Sequence, residues 1–169
     1  MKFPLVTLLA LTLAPVAAQA QGIAAIQPHY GNVKGLLVKS AEQMPEANYA
    51  FKPTPEVRSF GELVGHLANA NYLVCATVKG EKSPAAQDFE KVTVKAALVQ
   101  ALKDALAYCD PLYQMADAQL GAEVELFGMK MSQLSMAFLN VNHNWEHYGN
   151  VVTYLRLKGM VPPSSQRGM

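Results

Sequence analysis

NVNHNWEHYGNVVTYLRLKG, residues Asn140 to Gly159, has the spacing of a helix that buries one face. Met136, Leu139, His143, His147, Val151 and Tyr154 recur at three- and four-residue steps, so their side chains share a stripe. His143 and His147 therefore stand one turn apart on the same side. The stripe is otherwise apolar and predicts a core-facing surface. Imidazoles set into such a surface must be hydrogen-bonded or hold a ligand, because a buried polar group without a partner is costly.

Outward from this run, Ser132 is placed to cap the helix, which is expected to reach Lys158. Gly159 can close it and Pro162-Pro163 forbids extension. Upstream, the alternation of Val124 and Leu126 between Leu120 and Met131 predicts a short extended crossover and not a full strand. An earlier helix is expected from about Thr93, with Leu98, Leu102, Ala105, Cys109 and Leu112 inward. Asp110-Pro111 predicts a kink or a capped restart at its end. Glu81 to Lys91 reads as a polar loop, with Ser83-Pro84 suited to starting a single turn.

Ser59-Phe60-Gly61-Glu62 is a capping box, and the helix it opens carries Leu63, His66, Leu67, Ala70, Leu73, Val74 and Thr77 on one face, with Gly80 closing it. His66 is thus a third histidine set into an apolar stripe. The first helix is expected to open at Gln27-Pro28, where proline's missing N–H costs nothing, and to end at Met44-Pro45. Tyr30, Val33, Leu37 and Ala41 form its inner face. Glu46 to Arg58 contains Pro53 and Pro55 and reads as an ordered, extended loop pinned by Tyr49 and Phe51. The sum is an all-α chain: a four-helix bundle with a long crossover before the last helix.

Residues 1–20 have the form of a cleavable export signal: Lys2, an apolar run from Phe3 to Ala14, and a small-residue end at Ala18-Gln19-Ala20. Cleavage after Ala20 leaves a bundle over residues 21–165 and a tail at 166–169, in the periplasm or outside the cell. The apolar run is shorter than the ~20 residues of a membrane span, so no membrane association is expected once it is removed. Without Lys2, the 14 Lys and Arg become 13 against 13 Asp and Glu. That neutrality, with no run of like charge, argues against a nucleic-acid partner. Cys75 and Cys109 are the two cysteines. Their spacing excludes a CxxC thiolate site, and two readings stay open: a bridge between helices, which an oxidising compartment preserves, or two buried thiols.

Three neutral imidazoles with an open fourth position suit a divalent cation, zinc or nickel first, with copper and iron also compatible with all-nitrogen ligation. Such an ion acidifies water or polarises a substrate oxygen. Glu62, one turn before His66, and Asn140, just before His143, are candidate acceptors for the outer N–H of the ligating rings. His29 is expected at the surface, and Trp145 to pack against a neighbouring helix. His143-Asn144-Trp145-Glu146-His147 also fits the pattern HxxEH, in which Glu146 serves as general base of a zinc hydrolase. That pattern needs a downstream carboxylate ligand, and no Asp or Glu follows Glu146.

Two longer runs, MPEANYAFKPTPEVRSFGELVGHLANANYLVC (Met44 to Cys75) and NHNWEHYGNVVTYLRLKGMVPPSS (Asn142 to Ser165), resemble the DinB/YfiT-like superfamily. The resemblance covers nearly all of the chain after the leader. It implies a four-helix bundle with a three-histidine metal site, the first histidine falling on His66 and the later pair on His143 and His147. Relatives include metal-dependent transferases that use low-molecular-weight thiols and proteins suggested to be hydrolases, and members often dimerise. An export signal sets this chain apart from relatives that rely on cytosolic thiols, so hydrolysis of a small molecule is the expected reaction. The alternatives are a metal- or ligand-binding bundle without turnover and a structural bundle whose histidines are hydrogen-bonded in its core.

Overall fold

The structure, a computed structural model, describes residues 22–166. The leader read over residues 1–20 and the tail beyond Gln166 lie outside the described residues. Four helices carry the fold: α1 (Ile23–Gln43), α2 (Phe60–Lys79), α3 (Lys95–Cys109) and α4 (Gln133–Leu157). α2 packs on both α3 and α4, and α1 closes the bundle against α4. A hairpin of β1 (Glu123–Leu126) and β2 (Met129–Ser132) precedes the last helix.

The helix ends follow local chemistry closely. Ser59 Oγ accepts from the Glu62 backbone N–H at 3.1 Å, while Glu62 Oε2 accepts from the Ser59 N–H at 2.6 Å. Gly80 ends α2 in the left-handed conformation, φ 67°. Ser132 Oγ accepts from the Ser135 N–H and opens α4. Along α1 the expected Tyr30, Val33, Leu37 and Ala41 are buried. The helix begins earlier than expected, at Ile23, so Pro28 lies inside it. The cause is distant in sequence: Asp117 Oδ1 accepts the Ile23 N–H at 2.7 Å, an N-terminal cap supplied from 94 residues away.

The loop before α2 is pinned as expected. Tyr49 is buried with its hydroxyl donating to the Ala41 carbonyl, and Phe51 meets the Tyr154 ring edge-on at 6.1 Å. The α2–α3 connection turns at Phe89–Lys91, a single 3-10 turn, and not at Ser83-Pro84. Asp88 explains the choice, because its carboxylate caps the turn by accepting from the Glu90 N–H. After Cys109 the chain tightens from α3 into a 3-10 turn over Asp110–Gln114, the restart that Asp110-Pro111 predicts.

The crossover is the larger departure. Val124 and Leu126 lie in a true strand, paired antiparallel with its own return, Leu126 opposite Met129. Phe127 (φ 52°) and Gly128 (φ 77°) make the turn, both left-handed, as a two-residue hairpin loop with matching twist requires. Gln133 then locks the hairpin to the bundle, its side-chain amide donating to the Val78 carbonyl at 2.6 Å.

Candidate metal centre

The inner face of α2 is rotated about one residue from the expected stripe. Leu67, Asn71, Val74, Cys75 and Val78 are buried, while Leu73 is exposed. His66 consequently sits at the edge of the core, half-buried, facing α4. The α4 stripe is rotated likewise: Met136, Asn140, Asn144, Val151 and Leu155 are innermost, with His143 and His147 beside them.

The three imidazoles meet across this α2–α4 seam. His66 Nε2 lies 3.2 Å from His143 Nε2, and His147 Nε2 lies 3.0 Å from the same atom. One ligating nitrogen of each ring falls within 4.8 Å of the others. Two nitrogens bound tetrahedrally at 2.0–2.1 Å are roughly 3.3 Å apart, so the spacing fits a single ion. Neutral Nε2 atoms bearing lone pairs repel at such distances unless a proton or a cation lies between them. Burial, followed by the neighbouring His147 and His66 and then Arg58, pushes His143 down to about 4. His147 is lowered too, by burial first and then by His66. Both rings are thus held neutral near pH 7, the state in which an imidazole can ligate.

The outer nitrogens have different surroundings. His66 Nδ1 is 2.9 Å from Glu90 Oε1, and the other oxygen of Glu90 accepts from Arg58 Nε at 2.9 Å. Burial raises the Glu90 carboxyl, but the hydrogen bonds and charges of Arg58 and His66 outweigh it and leave it below the usual range. The carboxamide of Asn150 lies 3.3 Å from His147 Nδ1. His143 Nδ1 is buried without a partner among the described residues.

The outer acceptors expected from sequence are thereby corrected. Glu62 is spent on the helix cap and on Lys52, 3.0 Å away. Asn140 faces the core, where its amide donates to Asn71 Oδ1 at 3.2 Å and to the Tyr113 hydroxyl at 3.0 Å. Asn71 and Asn144 complete this network as a reciprocal amide pair, at 2.9 and 3.0 Å, joining α2 to α4 directly beneath the histidines. The Cys75–Cys109 bridge is formed and lies against the same network, the Asn140 amide 3.7 Å from Cys75 Sγ. Glu90 escaped the sequence reading because it lies 24 residues from His66 in a loop that looked only polar. Asn71 escaped because a lone amide among apolar residues looks like a break in the stripe.

His29 is exposed, as expected. Trp145 packs edge-on against Tyr148 of its own helix, ring centroids 5.8 Å apart, and rests on the core. Glu146 is exposed. The group that stands beside His143 and His147 is His66, and no carboxylate joins the cluster among the described residues.

A cleft of about 740 Å³ reaches the cluster at His147. The Lys52–Arg58 loop forms one wall, and Glu90, His147, Asn150 and Tyr154 line the opposite side. A second hollow of about 420 Å³ touches His143 and Glu146 from the side of Met131, Phe138 and Leu139. Among the described residues no helix is long and apolar enough to cross a membrane.

The helical bundle is that of DinB-like proteins, and the sequence agrees. Residues 32–151, which include all three histidines, match the DinB superfamily, and the chain belongs to that superfamily. It is 26% identical over 137 residues to the uncharacterized protein YjoA of Bacillus subtilis, covering 79% of this chain and 89% of that one. The crystal structure of a DinB-like protein from Bacillus cereus superposes with a TM-score of 0.74 at 15% identity, covering 85% of this chain and 97% of that one. The crystal structure of YjoA superposes with a TM-score of 0.64 at 24% identity, covering 85% and 99%.

Proposed function

We propose that this DinB protein binds one divalent cation, zinc or nickel first, through Nε2 of His66, His143 and His147, and uses it to hydrolyse a small molecule. The observation that carries the proposal is the convergence of three imidazole nitrogens, 3.0 and 3.2 Å apart, beside a 740 Å³ cleft. An ion held there supplies Lewis acidity toward a substrate oxygen and toward water. The protein's own contribution is positional. α2 and α4 hold the three rings, the Asn71–Asn144 pair fixes the two helices against each other, and the Lys52–Arg58 loop walls the cleft in which a substrate would lie. Hydrolysis, and not transfer to a low-molecular-weight thiol, is favoured because the leader-like residues 1–20 point to export. The Cys75–Cys109 bridge supports the same compartment.

The test is metal content followed by turnover. Protein stripped with a chelator and reloaded with zinc or nickel is screened against small esters, amides and phosphoesters, beside a variant with all three histidines changed to alanine. A metal-dependent hydrolysis that the triple variant lacks is expected. Hydrolysis that persists in the metal-free triple variant would eliminate the proposal.

A further inference from the structure

The chain brings a third element to the histidine cluster, the short turn Phe89–Lys91 between α2 and α3. Three features of α2 seat it. Gly65, the residue before His66, allows the approach: a Cβ there would stand 2.3 Å from the Phe89 carbonyl oxygen and 2.8 Å from the Glu90 nitrogen, contacts no side chain can make. Asn69 then clamps the turn with both ends of its amide. Its Oδ1 accepts from the Phe89 N–H at 3.1 Å, and its Nδ2 donates to Asp88 Oδ1 at 2.8 Å. Between clamp and gap stands His66, and the docked turn sets Glu90 Oε1 2.9 Å from its Nδ1.

We infer that Glu90 is the positioning residue of the site: it fixes His66 in the Nδ1–H form, so that the Nε2 lone pair faces the other two histidines, and it anchors Arg58 beside the cleft. The carboxylate serves two donors, His66 Nδ1–H through Oε1 and Arg58 Nε–H through Oε2. The two donors lie at different oxygens, and an amide in the same place offers an acceptor at only one of those two positions. Arginine is always a donor, so the oxygen of a glutamine at this position goes to Arg58 and its NH2 group faces His66. His66 then has to present a lone pair at Nδ1 and a hydrogen at Nε2, which blocks the ligating atom. Gly65, His66 and Asn69 thus form one unit in which the backbone that carries the first histidine also docks the residue that orients it.

The inference rests on the three-histidine reading, and two readouts separate the failure of one from the failure of the other. The first is the tautomer of His66 in metal-free protein, read from long-range proton–nitrogen spectra of nitrogen-15 histidine-labelled samples at a pH where the ring is neutral. The second is zinc affinity by competition with a chromogenic chelator. In the parent protein His66 is expected to show Nδ1–H. Glu90→Gln is expected to turn it to Nε2–H and to weaken zinc roughly 10–100-fold, the usual loss when an outer partner of a metal ligand is removed. Asn69→Ala leaves the carboxylate intact but frees the turn, and is expected to give a mixed tautomer and an intermediate affinity. Lys91→Ala, on the same turn but exposed, is expected to change neither readout. A Glu90→Gln protein that keeps Nδ1–H and the parent's zinc affinity overturns the inference. A parent that takes up no zinc overturns the metal reading, while the tautomer comparison still decides whether Glu90 orients His66.

Discussion

His143 is the residue on which the chemistry of the cluster can be read most directly. It stands between the other two rings, 3.2 and 3.0 Å from their Nε2 atoms, and burial with those neighbours pushes it down to about 4. An unfolded histidine titrates near 6.5. Between these values the unfolded chain holds a proton that the folded chain refuses. Stability of the metal-free protein is therefore fully present above about 6.5 and falls as the pH drops toward 4. A histidine titration followed by NMR is expected to place the His143 midpoint well below the free value, with thermal midpoints declining over the same window. A His143 midpoint at the free value would contradict its burial among the other two rings. Metal uptake should weaken over the same acid range, because protons compete for the ligating nitrogens.

At the scale of elements, the polar layer beneath the histidines joins what the helix faces alone do not. Asn71 on α2 and Asn144 on α4 are fully buried and satisfy each other. Asn71→Ala leaves the Asn144 and Asn140 amides short of an acceptor. It should cost about 1–3 kcal/mol, beyond what its lost packing explains. Urea denaturation measures it, and a change under about 0.5 kcal/mol would mean the network is not holding α2 to α4. The bridge between Cys75 and Cys109 closes a loop across 34 residues, and replacing both cysteines by serine is expected to cost roughly 2–4 kcal/mol. Gly65→Ala forces the Phe89–Glu90 backbone away from α2 and should lower stability by about 1–3 kcal/mol. A neutral result there would mean that the turn is not packed on α2.

What was legible in the chain divides along the same line. The capping box at Ser59, the left-handed ends at Gly80 and Gly159, and the inner faces of α1 and α3 depend on neighbours within a turn or two, and they stand where the spacing put them. The three histidines were readable because their stripes carried the period of the helix. The cap that Asp117 gives α1, the acceptor Glu90 and the amide partner Asn71 act across 94, 24 and 73 residues. No local pattern announces contacts of that kind. The hairpin was read as bare extended chain because Phe127 stands where a left-handed turn ordinarily takes asparagine or glycine.

For the molecule as a whole, the histidine cluster spans the seam between α2 and α4, so a cation bound there would also tie the two helices together. Anything that binds only the folded state stabilises it by mass action, about 2.7 kcal/mol when the ligand stands at 100 times its dissociation constant. In a domain of this size that corresponds to a rise of roughly 5–10 °C in thermal midpoint. The most direct measurement of the central claim is elemental analysis of the purified protein beside its His66→Ala variant, each with a thermal scan before and after zinc addition. One divalent ion per chain, lost together with the thermal gain in the variant, is the expected result. A parent protein with neither metal nor a shift on zinc addition, or a His66→Ala variant that keeps both, would contradict it.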